Sequence, residues 1–195
     1  MQGIRSFVNR LLTPQGFALL FFIHFAVSME LFLVGAPHQL ASSGFDLLDN
    51  RVGYGADDIL STWTAYGEKC RTIYQSFLLY ADILYSILTG VLSIAALNVI
   101  RSSLPRLNLG GWIFSFPIIM VALDFLENAL LLSMLVNFPN ISVSIAGIAG
   151  NLTSVKLALV NVSFLLILLA WVLLILNWWN SHNSKKRPEN TGTRE

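Results

Sequence analysis

Charge is what this sequence has least of. Only 12% of its 195 residues are Asp, Glu, Lys or Arg, about half the ~25% of a soluble domain. The formal net charge of +1 gives no reason to invoke nucleic acid as a partner. The one cysteine, Cys70, excludes an intrachain disulfide and any cysteine-built metal cluster. No Gly-rich phosphate loop, His-Glu-x-x-His helix or Gly-x-Ser-x-Gly elbow occurs, so the common signatures of nucleotide, zinc-protease and serine-hydrolase chemistry are missing.

Long apolar runs take the place of charge. Hydrophobic residues make up 55% of the chain and mean hydropathy is +0.66. Four runs stand out, at about 14–36, 72–100, 111–136 and 155–179. Each exceeds the ~20 residues a helix needs to cross a bilayer. In lipid, open strands would leave backbone groups unpaired, so the spans are helices. The expectation is an all-α membrane protein: one four-helix transmembrane domain over 1–181 and a disordered cytoplasmic tail at 182–195. The first run reads as a retained span, because its apolar core is too long for a leader.

Orientation follows from the basic residues. With both termini inside, the inner side holds Arg5, Arg10, Arg101, Arg106, Lys185, Lys186, Arg187 and Arg194, against Arg51, Lys69, Arg71 and Lys156 outside. This bias places both termini in the cytoplasm of a plasma or bacterial inner membrane. Trp112, Trp178 and Trp179 suit the inner interfacial belt.

The first outer loop has its own pattern. Asp57 or Asp58 can cap a helix starting near Ile59, whose Ile59, Leu60, Trp63 and Tyr66 form one apolar face before Gly67 stops it. This predicts a short amphipathic helix on the membrane surface or across the bundle mouth. The connection over 137–154 is small and polar and reads as a loop; Ser142, Ala146 and Gly150 form a packing stripe only if it is helical. Pro117 is expected to bend the third span, and Asn161 to join helices in the fourth.

The exceptions inside the spans carry the functional argument. Asp124, Glu127 and Asn128 share one helical face in the third span, and Asp82, Ser86, Thr89 and Ser93 form a stripe on the second, with Tyr85 beside it. Counted from the outer ends, Glu30 lies roughly 9 Å deep, Asp82 roughly 15 Å, Glu127 roughly 14 Å, and Asp124 and His24 roughly 18 Å. Ionisable groups at such depth need partners. Three solutions are open: protonated carboxyls, a cationic side chain such as Lys156, or a bound cation held by carboxylate, amide and imidazole groups. The candidate ligand- or cation-binding residues are therefore Asp124, Glu127, Asn128, Asp82, Glu30, His24, Tyr85 and Lys156. Pairing of Asp124 and Glu127 with Lys156 that merely locks the bundle stands beside this reading.

Gly53-Tyr54, Tyr66-Gly67 with Arg71 and Tyr74, Asp82-Ile83-Leu84-Tyr85, Asp124-Phe125-Leu126-Glu127-Asn128 and Lys156 together resemble a family of small four-span integral membrane proteins with no assigned activity. The resemblance runs from the outer loop to the start of the fourth span. It implies that these polar positions belong to one pattern, and it brings no substrate or catalytic assignment.

The leading functional expectation is an acidic site in the outer half of the bundle that binds, with or without transport, a cation, a proton or a cationic small molecule. A bound cation is the one cofactor it suggests, and the bilayer its one sure partner. The alternative is a structural or accessory subunit, paired with a second copy or another membrane protein. An intramembrane lipid-modifying enzyme ranks third, because no nucleophile–base pair stands at a defined spacing.

Overall fold

The computed structural model describes residues 10–44 and 47–184. Among these, every regular element is helical. α1 is Pro14–Leu33, and a short α2, Ala36–Ser42, turns off its end. A 3-10 turn at Leu48–Asn50 leads to α3, Ala56–Ser76. α3 runs through a π turn, Phe77–Ala81, into α4, Asp82–Ser103. α5 is Ser115–Val136 and α6 is Val143–Ser184. Four stretches are long and apolar enough to cross a membrane: Pro14–Ser42, Ala56–Ser103, Gly111–Val136 and Val143–Asn183. The expected four-helix membrane bundle is present.

α4 is the hub, packing against α1, α5 and α6. Polar side chains tie the helices at the end that carries the termini. The Asn98 amide donates to the Leu12 carbonyl at 2.7 Å, and Asn177 to the Ser103 hydroxyl at 3.0 Å. At the other end, α2, the 3-10 turn, the first half of α3 and the first turns of α6 form a cap. There most of the anticipated apolar face of α3 is buried: Ile59, Trp63 and Tyr66 sink into a core with Leu40, Leu131 and Ala149, while Leu60 stays exposed. The helix lies across the bundle mouth, on protein. It starts at Ala56, earlier than expected, and the Asp58 carboxylate accepts from the Gly55 N–H at 2.9 Å.

Gly67 breaks α3 with φ 65°, ψ 179°, a conformation open to glycine. The Arg71 guanidinium secures the break: Nη1 donates to the Trp63 carbonyl at 2.9 Å and the group lies 4.4 Å from the Phe138 ring centre.

Four expectations change. The connection read as a loop over 137–154 is helical from Val143, where the Ser142 carbonyl accepts from the Ala146 N–H at 2.9 Å. Its small residues serve close packing, which conceals a helix from a hydropathy reading. Ala146 and Ala149 are fully buried, and a Cβ on Gly150 would lie 2.2 Å from the Tyr54 carbonyl oxygen. Pro117 falls in the first turn of α5, after a 3-10 turn at Gly111–Phe114, where its missing N–H costs nothing and no interior carbonyl is freed. Asn161 is exposed and bonds back to the Leu157 carbonyl of its own helix. The tail expected from 182 is helical as far as Ser184, and 185–195 lie outside the described residues, as do Arg5 and the basic residues of that tail.

Two apolar cores result. One sits under the cap. The other, with Phe17, Leu20, Leu92, Ala96, Val99, Ile167 and Ala170, fills the terminal end. On α4, α5 and α6 the buried polar side chains fall mainly between them.

Candidate functional site

The helical spacing of Asp124, Glu127 and Asn128 puts all three on the buried face of α5. α6 answers with Thr153 and Lys156, one turn apart on its inner face and both buried. Lys156 Nζ stands 3.2 Å from Asp124 Oδ1 and 2.6 Å from Glu127 Oε2. The Thr153 hydroxyl donates to Glu127 Oε1, and the Tyr54 hydroxyl lies 3.0 Å from the same threonine oxygen. Glu127, with no exposed surface, is thus held through both oxygens by α6, and the Tyr54 hydroxyl backs the threonine from the cap.

α4 joins through an amide. Asn128 Nδ2 donates to Asp82 Oδ2 at 2.8 Å and approaches the Leu78 carbonyl at 3.4 Å. Leu78 lies in the π turn directly before Asp82. A π turn widens the helix by one residue and shifts the register of the residues beyond it, a feature common at functional sites.

A fourth carboxylate comes from the cap. Asp49, on the 3-10 turn, is buried, and the Tyr74 hydroxyl donates to its Oδ1 at 3.3 Å. Burial pushes the Asp49 carboxyl up from 3.8 to about 7; Lys156 opposes this, while Asp82 and Glu127 add to it. Burial also raises the Tyr54 phenol, despite its bond to Thr153.

These groups enclose space. A cavity of about 80 Å³ is lined by Asp49, Asp82, Tyr85, Ser86, Asp124 and Lys156 among others. One water needs ~10–15 Å³ by the same measure, so several fit. Asp124 is only 5% exposed, and its Oδ2 has no hydrogen-bond partner among the described residues.

His24 is buried beside the cavity rather than in its wall. The Thr89 hydroxyl donates to the Tyr85 carbonyl at 2.8 Å, so the 2.9 Å contact to His24 Nε2 is an imidazole N–H donating to Thr89. The ring also lies 4.9 Å from that of Tyr85. Glu30 remains on the exposed face of α1 and does not join the cluster. Of the eight candidates, Asp124, Glu127 and Lys156 form one bonded group and Asp82 with Asn128 of α5 a second beside it, Tyr85 lines the cavity with Asp82, Asp124 and Lys156, and His24 abuts it. Among the described residues no three His, Cys, Asp or Glu side chains converge in a way that could hold a metal ion. Lys156 stands where a cation between Asp124 and Glu127 would stand.

Set against protein-family models, curated proteins and solved structures, the chain matches none. The site therefore rests on its own geometry.

Asp49 and Thr153 escaped the reading of the sequence. Asp49 lies in a polar loop where an aspartate carries no signal. Thr153 lies in the stretch read as a connection, although its spacing of three from Lys156 would have placed both on one face of a helix.

Proposed function

We propose that this is an integral membrane protein whose buried acidic centre takes up a proton or a cationic small molecule from the cap side, with both termini in the cytoplasm. One observation carries the reading: four buried carboxylates share one ammonium, Asp124 and Glu127 in contact with Lys156, and Asp49 and Asp82 in the wall of the same cavity. Burial makes uncompensated charge costly. The excess of acid over base selects for protons and cations and against anions. Asp49, carried on the 3-10 turn of the cap and lining the cavity, supports access from the cap side. The resemblance of Tyr54, Tyr74, Asp82, Asp124, Glu127, Asn128 and Lys156 to a recurring pattern agrees with a shared centre, since all seven meet within it or border it.

The test uses the full chain in detergent. Infrared spectra followed through neutral pH should show a carboxyl group losing its proton, and Asp49→Asn should remove that band. A thermal-shift screen against organic and inorganic cations should give stabilisation that Asp124→Asn abolishes, as mass action requires of a native-state ligand. A spectrum unchanged by Asp49→Asn together with a flat screen would overturn the proposal.

The closed Lys156–Asp124–Glu127 triad favours a second reading, in which the charges only fasten α5 to α6. That reading predicts stability effects without any ligand response.

A further inference from the structure

The acidic cavity has an annex. A second cavity of about 50 Å³ shares Asp49, Asn50, Asp82 and Tyr85 with the first, and its remaining wall is apolar: Leu31, Phe32, Pro37, Leu47 and Phe77. Phe32 is 49% exposed, so this vestibule borders the outer surface of α1. The Phe32 and Tyr85 rings meet edge to face, with centroids 6.4 Å apart. A polar chamber with excess acid thus adjoins a small apolar and aromatic vestibule across these four shared residues.

We propose that the pair of cavities binds a primary ammonium carried on an apolar body, with the ammonium in the chamber at Asp124 and the body in the vestibule against Phe32 and Phe77. The inference rests on the cation uptake proposed above and names its ligand class. Three features select that class. An ammonium has three N–H donors and no acceptor. The chamber offers the unpartnered Asp124 Oδ2, the Asp82 carboxylate and the Ser86 hydroxyl. A metal ion would need converging ligands, and no such group of three occurs among the described residues. The vestibule rewards an apolar body by removing its surface from water, and the faces of aromatic rings favour a cation passing them. The chamber, at about 80 Å³, takes the ammonium and its nearest carbons, and the vestibule takes the apolar remainder.

Two sources share this chemistry, a free amine from water and a single-chain amine dissolved in the bilayer. Binding is measured on the full chain in nanodiscs of neutral lipid, by thermal shift, with benzylammonium, methylammonium and benzyl alcohol as soluble probes and octadecylamine as the lipid-borne one. Benzylammonium should act at about tenfold lower concentration than methylammonium, the increment expected for burying most of an aromatic ring. Benzyl alcohol should have no effect. Asp124→Asn should abolish both amine responses. Phe32→Ala, on the half-exposed face of α1 and outside the ion network, should bring benzylammonium to the level of methylammonium, and it serves alone if Asp124→Asn does not fold. A response to octadecylamine but not to benzylammonium upholds the site and assigns it to a membrane-borne amine. An equal effect of benzyl alcohol, or no response to any amine, overturns the proposal. If the Asp49 carboxyl still titrates in the infrared experiment, the proton reading survives that failure; if it does not, both fall.

Discussion

Lys156 is the residue on which the interior depends. It faces Asp124 and Glu127 at once, so its removal leaves two buried carboxylates without their cation. Breaking a buried pair from one side costs about 3–5 kcal/mol, whereas replacing the whole set with neutral groups of similar shape costs far less. Lys156→Met should therefore lower the unfolding midpoint strongly, and adding Asp124→Asn and Glu127→Gln should recover most of the loss. A triple variant no more stable than Lys156→Met alone would argue against the triad as the source.

Asp49 makes a different prediction. Its folded carboxyl is raised from 3.8 to about 7, so between those values the folded state holds a proton that the unfolded chain has released. The sign comes from linkage: the contribution is full below about pH 4 and is lost as pH rises through about 7. The groups facing Asp49 are Tyr74, Tyr85, Asp82, Glu127 and Lys156. Asp49→Asn should flatten the fall in thermal stability over that window, and an unchanged slope would assign it to another group.

At the level of elements, α6 shows what the sequence conceals. It has 42 residues and is about 63 Å long at 1.5 Å per residue, twice the ~30 Å of hydrocarbon. Hydropathy marks the apolar part of such a helix and misses the cap part, whose Ser142, Ala146 and Gly150 look like loop residues. Gly150 admits the Tyr54 segment against the helix. Gly150→Ala would drive a methyl group into the Tyr54 backbone. Overpacking of this kind costs roughly 1–3 kcal/mol, and here it also parts Tyr54 from Thr153. Circular-dichroism melts should show the loss, and an unaltered melt would mean that the Tyr54 segment gives way freely.

The spans were legible as unbroken apolar runs of bilayer length, and the amphipathic face of α3 and the Asp124–Glu127–Asn128 face because each follows a 3.6-residue period. The pairing of Lys156 was open as one of several solutions. The π turn before Asp82, the burial of Asp49 and the reach of Thr153 were not legible, because they depend on how separate segments meet.

As a whole, the molecule is an apolar core, a polar layer and a second apolar core stacked along one bundle. From Asp82 to the end of α4 at Ser103 is about 32 Å at the helical rise, a full hydrocarbon thickness. The core of Leu92, Ala96, Val99, Ile100 and Ile167 fills the terminal half of that distance, while Ser86, Thr89 and Ser93 keep the half next to Asp82 polar. It acts as the insulating layer of a capacitor, and most of the transmembrane voltage falls across it. One elementary charge crossing the whole field exchanges about 2.3 kcal/mol per 100 mV. A charge reaching the carboxylates from the cap end crosses only a small part of that field. On the proposed uptake, occupancy of the site should follow the solution bathing the cap more closely than it follows the voltage across the membrane.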